Sequence, residues 1–195
     1  MAINVANVII GAPDQSPTTG AVNWAPLGTT APTDARTALG SAWTSGGYVS
    51  SDGVSLSIDQ STKSIDDWSL AHVRTLLDEF TGTVTFTFIQ TDYDTLCMIF
   101  GASNVTQTAA TTTSPALIHV AIGPELPSAK AFAFNMKDGE SRVRLFLPNA
   151  QVTLDGELTF KADEAISWSV SLDAGAGTDG KCIHFFYDNG QVASA

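Results

Sequence analysis

Residues 73–101, VRTLLDEFTGTVTFTFIQTDYDTLCMIFG, contain the change of period from which the fold can be read. Val84, Phe86 and Phe88 alternate with Thr83, Thr85 and Thr87, which gives a strand one apolar and one hydroxyl face. Directly afterwards Tyr93, Leu96, Cys97 and Phe100 fall at i, i+3, i+4 and i+7, the spacing of one helix face. Thr91 and Asp94 form a candidate capping pair, and Gly101 is the expected terminator. Upstream, Val54, Leu56 and Ile58 alternate with Ser55, Ser57 and Asp59 and predict a second half-buried antiparallel strand.

Downstream, short apolar or alternating segments recur between Gly, Pro, Asp and Asn: PALIHVAI, KAFAFNM, SRVRLFLP, ELTFKA, ISWSVSL and KCIHFFYD. This spacing predicts further strands. The expected fold is mainly β, an antiparallel β-sandwich or barrel with one flanking α-helix and long loops or arms. Residues 1–195 are read as one domain. Within it, 1–45 is expected to be an amino-terminal strand over Ile3 to Ile10 followed by an extended arm containing Pro13, Pro17, Pro26 and Pro32. Ala35, Ala38, Leu39, Ala42 and Trp43 follow helical spacing behind Thr33 and Asp34 and predict a short helix in that arm. The polar run Asn104 to Ser114 is expected to be an exposed hairpin loop or an insertion.

Composition narrows the function classes. The chain has 195 residues, 20 Asp+Glu against 9 Lys+Arg, and a formal net charge of −11. Such a molecule repels phosphates and does not grip DNA. Charged residues are only 15% of the chain, so Ser, Thr, Gly and Ala must cover much of its surface, a composition suited to close packing between subunits. The amino terminus lacks a basic flank, and no stretch reaches the roughly 20 apolar residues of a membrane span, so no membrane association is expected.

No motif carries catalysis or a cofactor. Gly175, Gly177 and Gly180 spell GxGxxG, but strand-like sequence follows them where a phosphate-binding helix would have to begin. Cys97 and Cys182 have no CxxC spacing and are read as reduced thiols, while His72, His119 and His184 lie tens of residues apart with no ligand partner nearby. The carboxylate pairs Asp66/Asp67, Asp78/Glu79 and Asp163/Glu164 are sequence neighbours and point to opposite faces of a strand. No GxSxG elbow is present. The reading is therefore of a protein that is not an enzyme and has neither metal nor cofactor. Trp24, Trp43, Trp68 and Trp168 leave open a sugar-stacking surface on a β-sandwich.

Three blocks, taken in order, carry a family resemblance. The first contains Pro32, Thr33, Asp34, Trp43, then Gly47, Tyr48, Val49, Ser50, Asp52, Gly53, then Ile58, Asp59, Ser61, Ile65 and Trp68. The second contains Arg74, Thr83, Val84, Phe86, Thr91 and Gly101, and the third Arg142, Pro148, Asn149, Gly156 and Glu164. Over roughly residues 31–190 the chain resembles the major tail proteins, or tail tube proteins, of long-tailed phages infecting actinobacteria. The resemblance implies a virion structural protein, made in the host cytoplasm, that self-assembles into hexameric rings stacked as a hollow tube. DNA would pass through without specific binding, and tail terminator, tape measure and distal tail proteins would be its partners.

Between Ser50 and Thr95 there are eight Asp/Glu and two Lys/Arg. This concentration makes Asp59, Asp66, Asp67, Asp78 and Glu79 candidates for an acidic lumen lining, with solvated turn positions as the alternative. The arm at 13–45 or the loop at 104–114 is a candidate bridge between subunits. A carbohydrate-binding β-sandwich, or a tail or capsid accessory protein, is the competing function.

Overall fold

A computed structural model describes residues 3, 8–16 and 19–191. The expected strand over Ile3 to Ile10 lies partly outside the described residues, as does Pro17. Of that segment Ile3 and Val8 to Ile10 are described, and none is in a strand. The elements are β1 (Ala12–Pro13), β2 (Val22–Pro26), β3 (Thr44–Ser45), β4 (Val49–Asp66), β5 (His72–Phe88), α1 (Tyr93–Phe100), β6 (Val105–Thr108), β7 (Leu117–Val120), β8 (Lys130–Asp138), β9 (Ser141–Leu154), β10 (Trp168–Gly175) and β11 (His184–Asp188). Among the described residues the fold is mainly β, with antiparallel pairing throughout, one helix and no closed barrel.

The main sheet runs β3-β2-β8-β9-β10-β5-β4, with β1 joined to β8 and β11 to β9, and β6 and β7 form a separate hairpin. Period-two alternation decides which side chains go inward. Val84, Phe86 and Phe88 of β5, Val170 and Leu172 of β10, Leu145, Leu147 and Val152 of β9, and Phe132 and Phe134 of β8 are buried together. The helix closes this core with Leu96, Met98, Ile99 and Phe100, and Val105 of β6 packs beside them. Edge-to-face ring contacts join Phe86 to Phe88 at 5.0 Å and Phe86 to Phe134 at 5.5 Å. The helix begins one residue from the expected pair: Asp92 is the N-cap, its Oδ1 accepting from Thr95 N at 2.8 Å. Gly101 ends the helix with φ 87°, a conformation that favours glycine, and donates to the Cys97 carbonyl at 3.1 Å.

Three sequence expectations are corrected. The arm does not stand clear of the sheet, because β2 is an interior strand between β3 and β8, and buries Val22, Asn23, Trp24 and Ala25. No helix forms at 35–43. Instead the Asp34 carboxylate accepts from Arg36 N at 2.7 Å, Thr37 N at 2.5 Å and Thr37 Oγ1 at 2.6 Å. The carbonyls of Asp34 and Thr37, which a helix would need, accept from the buried Arg144 guanidinium at 2.8 and 3.0 Å. Trp43 meanwhile packs edge-on against Phe146, so the segment becomes a lid over a second small core of Ala131, Ala133 and Phe146. These bonds to Thr37 and Arg36 hold the Asp34 carboxyl down to about 2. Finally, ELTFKA is not a strand: residues 155–167 are irregular, and most of them are exposed.

The polar run at 104–114 belongs to a hairpin, in which Val105 to Thr108 pair with Leu117 to Val120 and the turn between them is free of strand structure. Core and surface are sharply separated by this layout. Phe88→Ala should cost about 3–5 kcal/mol in denaturant unfolding, whereas Trp68→Ala, at a fully exposed position, should change stability by less than about 0.5 kcal/mol.

Candidate functional site

The feature the core does not explain is the hairpin of β4 and β5. β4 has 18 residues and β5 has 17, and they pair from Val54 with Phe86 out to Asp66 with His72. β10 supports β5 only from Phe88 to Thr83. The remainder, residues 59–81, therefore runs past the sheet as a two-stranded arm of roughly 25–30 Å. At its root the buried Gly82 lets the segment before β11 pack closely on the hairpin: a Cβ there would lie 2.7 Å from Ile183 Cδ1, so a larger residue would require the Ile183 side chain to shift.

The register assigns the two faces. On one, Val54, Leu56, Ile58 and Gln60 stand opposite Phe86, Val84, Gly82 and Phe80, so the apolar core face continues outward into solvent. Leu56, Ile58, Phe80 and Leu77 are all exposed along it. The half-buried strand expected over Val54 to Ile58 is thus buried little: Val54 is half-buried and the rest of the strand beyond it is exposed. On the other face hydroxyls stand in rows. Thr153, Ser171, Thr85 and Ser55 lie side by side across four strands, and Gln151, Asp173, Thr83 and Ser57 form the next row. Thr87 Oγ1 lies 3.1 Å from Ser169 Oγ, and Thr83 Oγ1 lies 3.5 Å from Asp173 Oδ1.

The five candidate carboxylates are all exposed, and they separate into groups. Asp59, opposite Thr81, and Glu79, opposite Ser61, extend the hydroxyl face. Asp78 sits at a β-bulge, where the pairing steps from Ser61 with Glu79 to Thr62 with Leu77. Asp66 faces His72, with Oδ1 3.5 Å from Nδ1. Asp67 is used by the turn: its Oδ1 accepts from Ser69 N at 2.7 Å, Ser69 Oγ at 2.6 Å and Ala71 N at 3.0 Å. The Ser69 hydroxyl and the turn amides lower the Asp67 pKa below the ordinary carboxylate value.

At the tip, Trp68 is fully exposed and Leu70 is 85% exposed, with Ile65 and Val73 exposed beside them. Leu70 adopts φ 64°, a left-handed conformation that a branched side chain occupies at a cost. Sequence reading missed this tip because its apolar residues have no periodicity; the signal available was the group Ile65, Trp68, Leu70 and Val73 around a turn with no counterpart to bury it.

The other candidate sites do not converge. Trp24 is buried, Trp43 packs on Phe146, Trp168 packs on Phe100 at 5.7 Å, and Trp68 stands alone, so the four tryptophans form no common platform. Among the described residues no three His, Cys, Asp or Glu side chains gather in a way that could hold a metal. Cys97 and Cys182 are separate, half-buried free thiols. Gly175, Gly177 and Gly180 lie at the end of β10 and in the loop after it, where Gly180 N donates to the Gly177 carbonyl at 3.1 Å. No described helix is long and apolar enough to cross a membrane.

Residues 1–194 match the family model of phage tail tube proteins, and the chain belongs to that family. It is a virion structural protein of the tail tube, or major tail protein, class, and the antiparallel β architecture fits that class. No curated protein matches the chain.

The tip geometry sets a pH dependence. Because the folded Asp67 pKa lies below its unfolded value, the carboxylate supports the turn above the ordinary carboxylate range, and that support is lost as pH falls through the lowered pKa. Carbon-detected NMR should show Asp67 titrating below the ordinary carboxylate value. Asp67→Ala should speed amide exchange at Ser69 and Ala71 while leaving Val84 and Phe86 protected.

Proposed function

We propose that the whole chain acts as one tail tube unit. It assembles into rings, six copies in each, that stack into a hollow conduit for DNA, and the β4–β5 hairpin is its assembly arm. The observation that carries this reading is the projecting hairpin in a chain of this family. A two-stranded ribbon that leaves its sheet, keeps one apolar face, and ends in Trp68 and Leu70 is unfavourable alone in water. Contact with a neighbouring copy removes that cost. The left-handed Leu70 supports the same view, since an exposed leucine at a position better suited to glycine contributes nothing to the isolated subunit. The exposed turn at 109–114 is a further candidate contact between subunits.

The hydroxyl face is the candidate lumen surface. Its Ser and Thr rows are uncharged, and Asp59, Glu79 and Asp173 add negative charge on the same side. Asp66, Asp67 and Asp78 add to the negative potential near the tip. A wall of this kind repels phosphates, and the two cations of the hairpin, Lys63 and Arg74, lie beyond Ser61 toward its tip, away from the hydroxyl rows. Tail terminator, tape measure and distal tail proteins are the partners that the virion tail setting implies, and assembly begins in the host cytoplasm. Passive conduction needs no catalytic group, metal or cofactor.

Two experiments test the reading. Purified protein examined by negative-stain electron microscopy and light scattering should form tubes, or rings of about 122 kDa for six copies. Replacing residues 60–80 with a two-residue Asn-Gly turn should leave a folded monomer that forms neither; tubes from that variant would refute the role of the arm. Because each copy carries a net charge of −11, raising ionic strength from about 0.02 to about 0.3 M should speed assembly as screening reduces subunit repulsion. Assembly slowed by salt would point instead to attraction between opposite charges as the main drive.

A further inference from the structure

Two parts of the molecule have strand character without a strand partner. The first is the outer edge of β4, which is the terminal strand of the main sheet and pairs only with β5 among the described residues. It contains no proline and one lysine, so little protects it from pairing with another chain. The second is residues 157–162, ELTFKA. They alternate polar and apolar as a strand does, yet they are irregular and expose Leu158 and Phe160.

These two parts lie at opposite ends of the sheet. Residues 155–167 connect β9 to β10 at the end where β10 begins opposite Phe88, while the hairpin tip lies beyond the other end of β10. Copies placed head to tail bring one against the other, and a heterologous contact of this kind repeats from copy to copy, closing as a ring or extending as a filament.

We infer that residues 157–162 of one copy add as an antiparallel strand to the free edge of β4 in a second copy, with Lys161 opposite Asp59, Thr159 opposite Ser61 and Glu157 opposite Lys63. The inference rests on the assembly reading above and names the partner surface. Charge selects the register: this single alignment pairs both charged residues of the strand with opposite charges at once. It also sets Leu158 and Phe160 on the face of β4 that carries Gln60, Thr62 and Ile58. That is the apolar side of the hairpin, where Phe80 and Leu77 are exposed. In the free chain Lys161 Nζ lies 3.0 Å from Glu164 Oε2, but both side chains are largely exposed and such a pair is readily exchanged. A segment with strand patterning and no local partner is thereby supplied with one, as in recognition by strand addition.

The test uses the full chain carrying both Ser61→Cys and Thr159→Cys. Mild oxidation of assembled protein should give a ladder of covalent multimers on a non-reducing gel, absent from either single variant and from the wild type under the same oxidant. In parallel, Lys161→Glu should raise the protein concentration needed for assembly about tenfold or more, and adding Asp59→Lys to it should restore most of the loss. Wild-type tubes combined with no ladder, or with no rescue by the second reversal, would overturn the pairing while leaving the assembly reading intact. Failure of the wild type to assemble at any salt concentration would overturn both.

Discussion

The structure depends on the continuity of β5. Its carboxyl-terminal third is a core strand, held between β4 and β10 and burying Val84, Phe86 and Phe88, while its amino-terminal part pairs with β4 alone. A single hydrogen-bonded ladder therefore connects the most buried part of the molecule to the most exposed. Burial of the three side chains fixes the register, because a slip of one residue would turn Thr83, Thr85 and Thr87 inward. That register is transmitted along the ladder to the two faces of the arm as far as Ser61, beyond which it shifts at Asp78 and again at Val73. The arm is thus aimed by the core, without needing contacts of its own.

Other parts of the fold protect this arrangement. α1 and the β6–β7 hairpin cover the apolar face of the sheet, and the 31–43 segment covers the opposite face through Arg144 and Trp43. Arg144 is buried, and burial pushes its pKa down. Its guanidinium is nevertheless satisfied by Asn135 Oδ1 at 2.7 Å and by two carbonyls of the lid. The hydroxyl rows of β9, β10, β5 and β4 remain half-open to solvent, which leaves a broad polar wall on one side of a subunit whose arm extends from the same strands.

Much of this was legible in the sequence where one face of an element is buried. TVTFTF, KAFAFNM, SRVRLFLP and ISWSVSL are strands, and Tyr93 to Phe100 is a helix, because burial enforces the period. Legibility failed where a side chain elsewhere took over the backbone. The helical spacing from Ala35 to Trp43 lost to Arg144, which claims the carbonyls such a helix would use, and β2 was hidden among prolines that sit at its edge. ELTFKA has the pattern of a strand, but none of the described residues of its own chain pairs with it. Of the acidic candidates, the sequence could group them but could not separate Asp59 and Glu79, on the hydroxyl face, from Asp67, whose carboxylate is committed to the turn. That distinction comes from the register, which long-range pairing sets.

The most direct measurement is a helical reconstruction of the assembled polymer by cryo-electron microscopy at a resolution that traces side chains. It is expected to show residues 59–81 packed against a neighbouring copy, with Trp68 buried and the Thr83, Thr85 and Ser171 face turned toward the bore. A tube in which the hairpin points freely into solvent, or in which that hydroxyl face lies on the outside, would contradict the assignment of the arm and of the lumen wall.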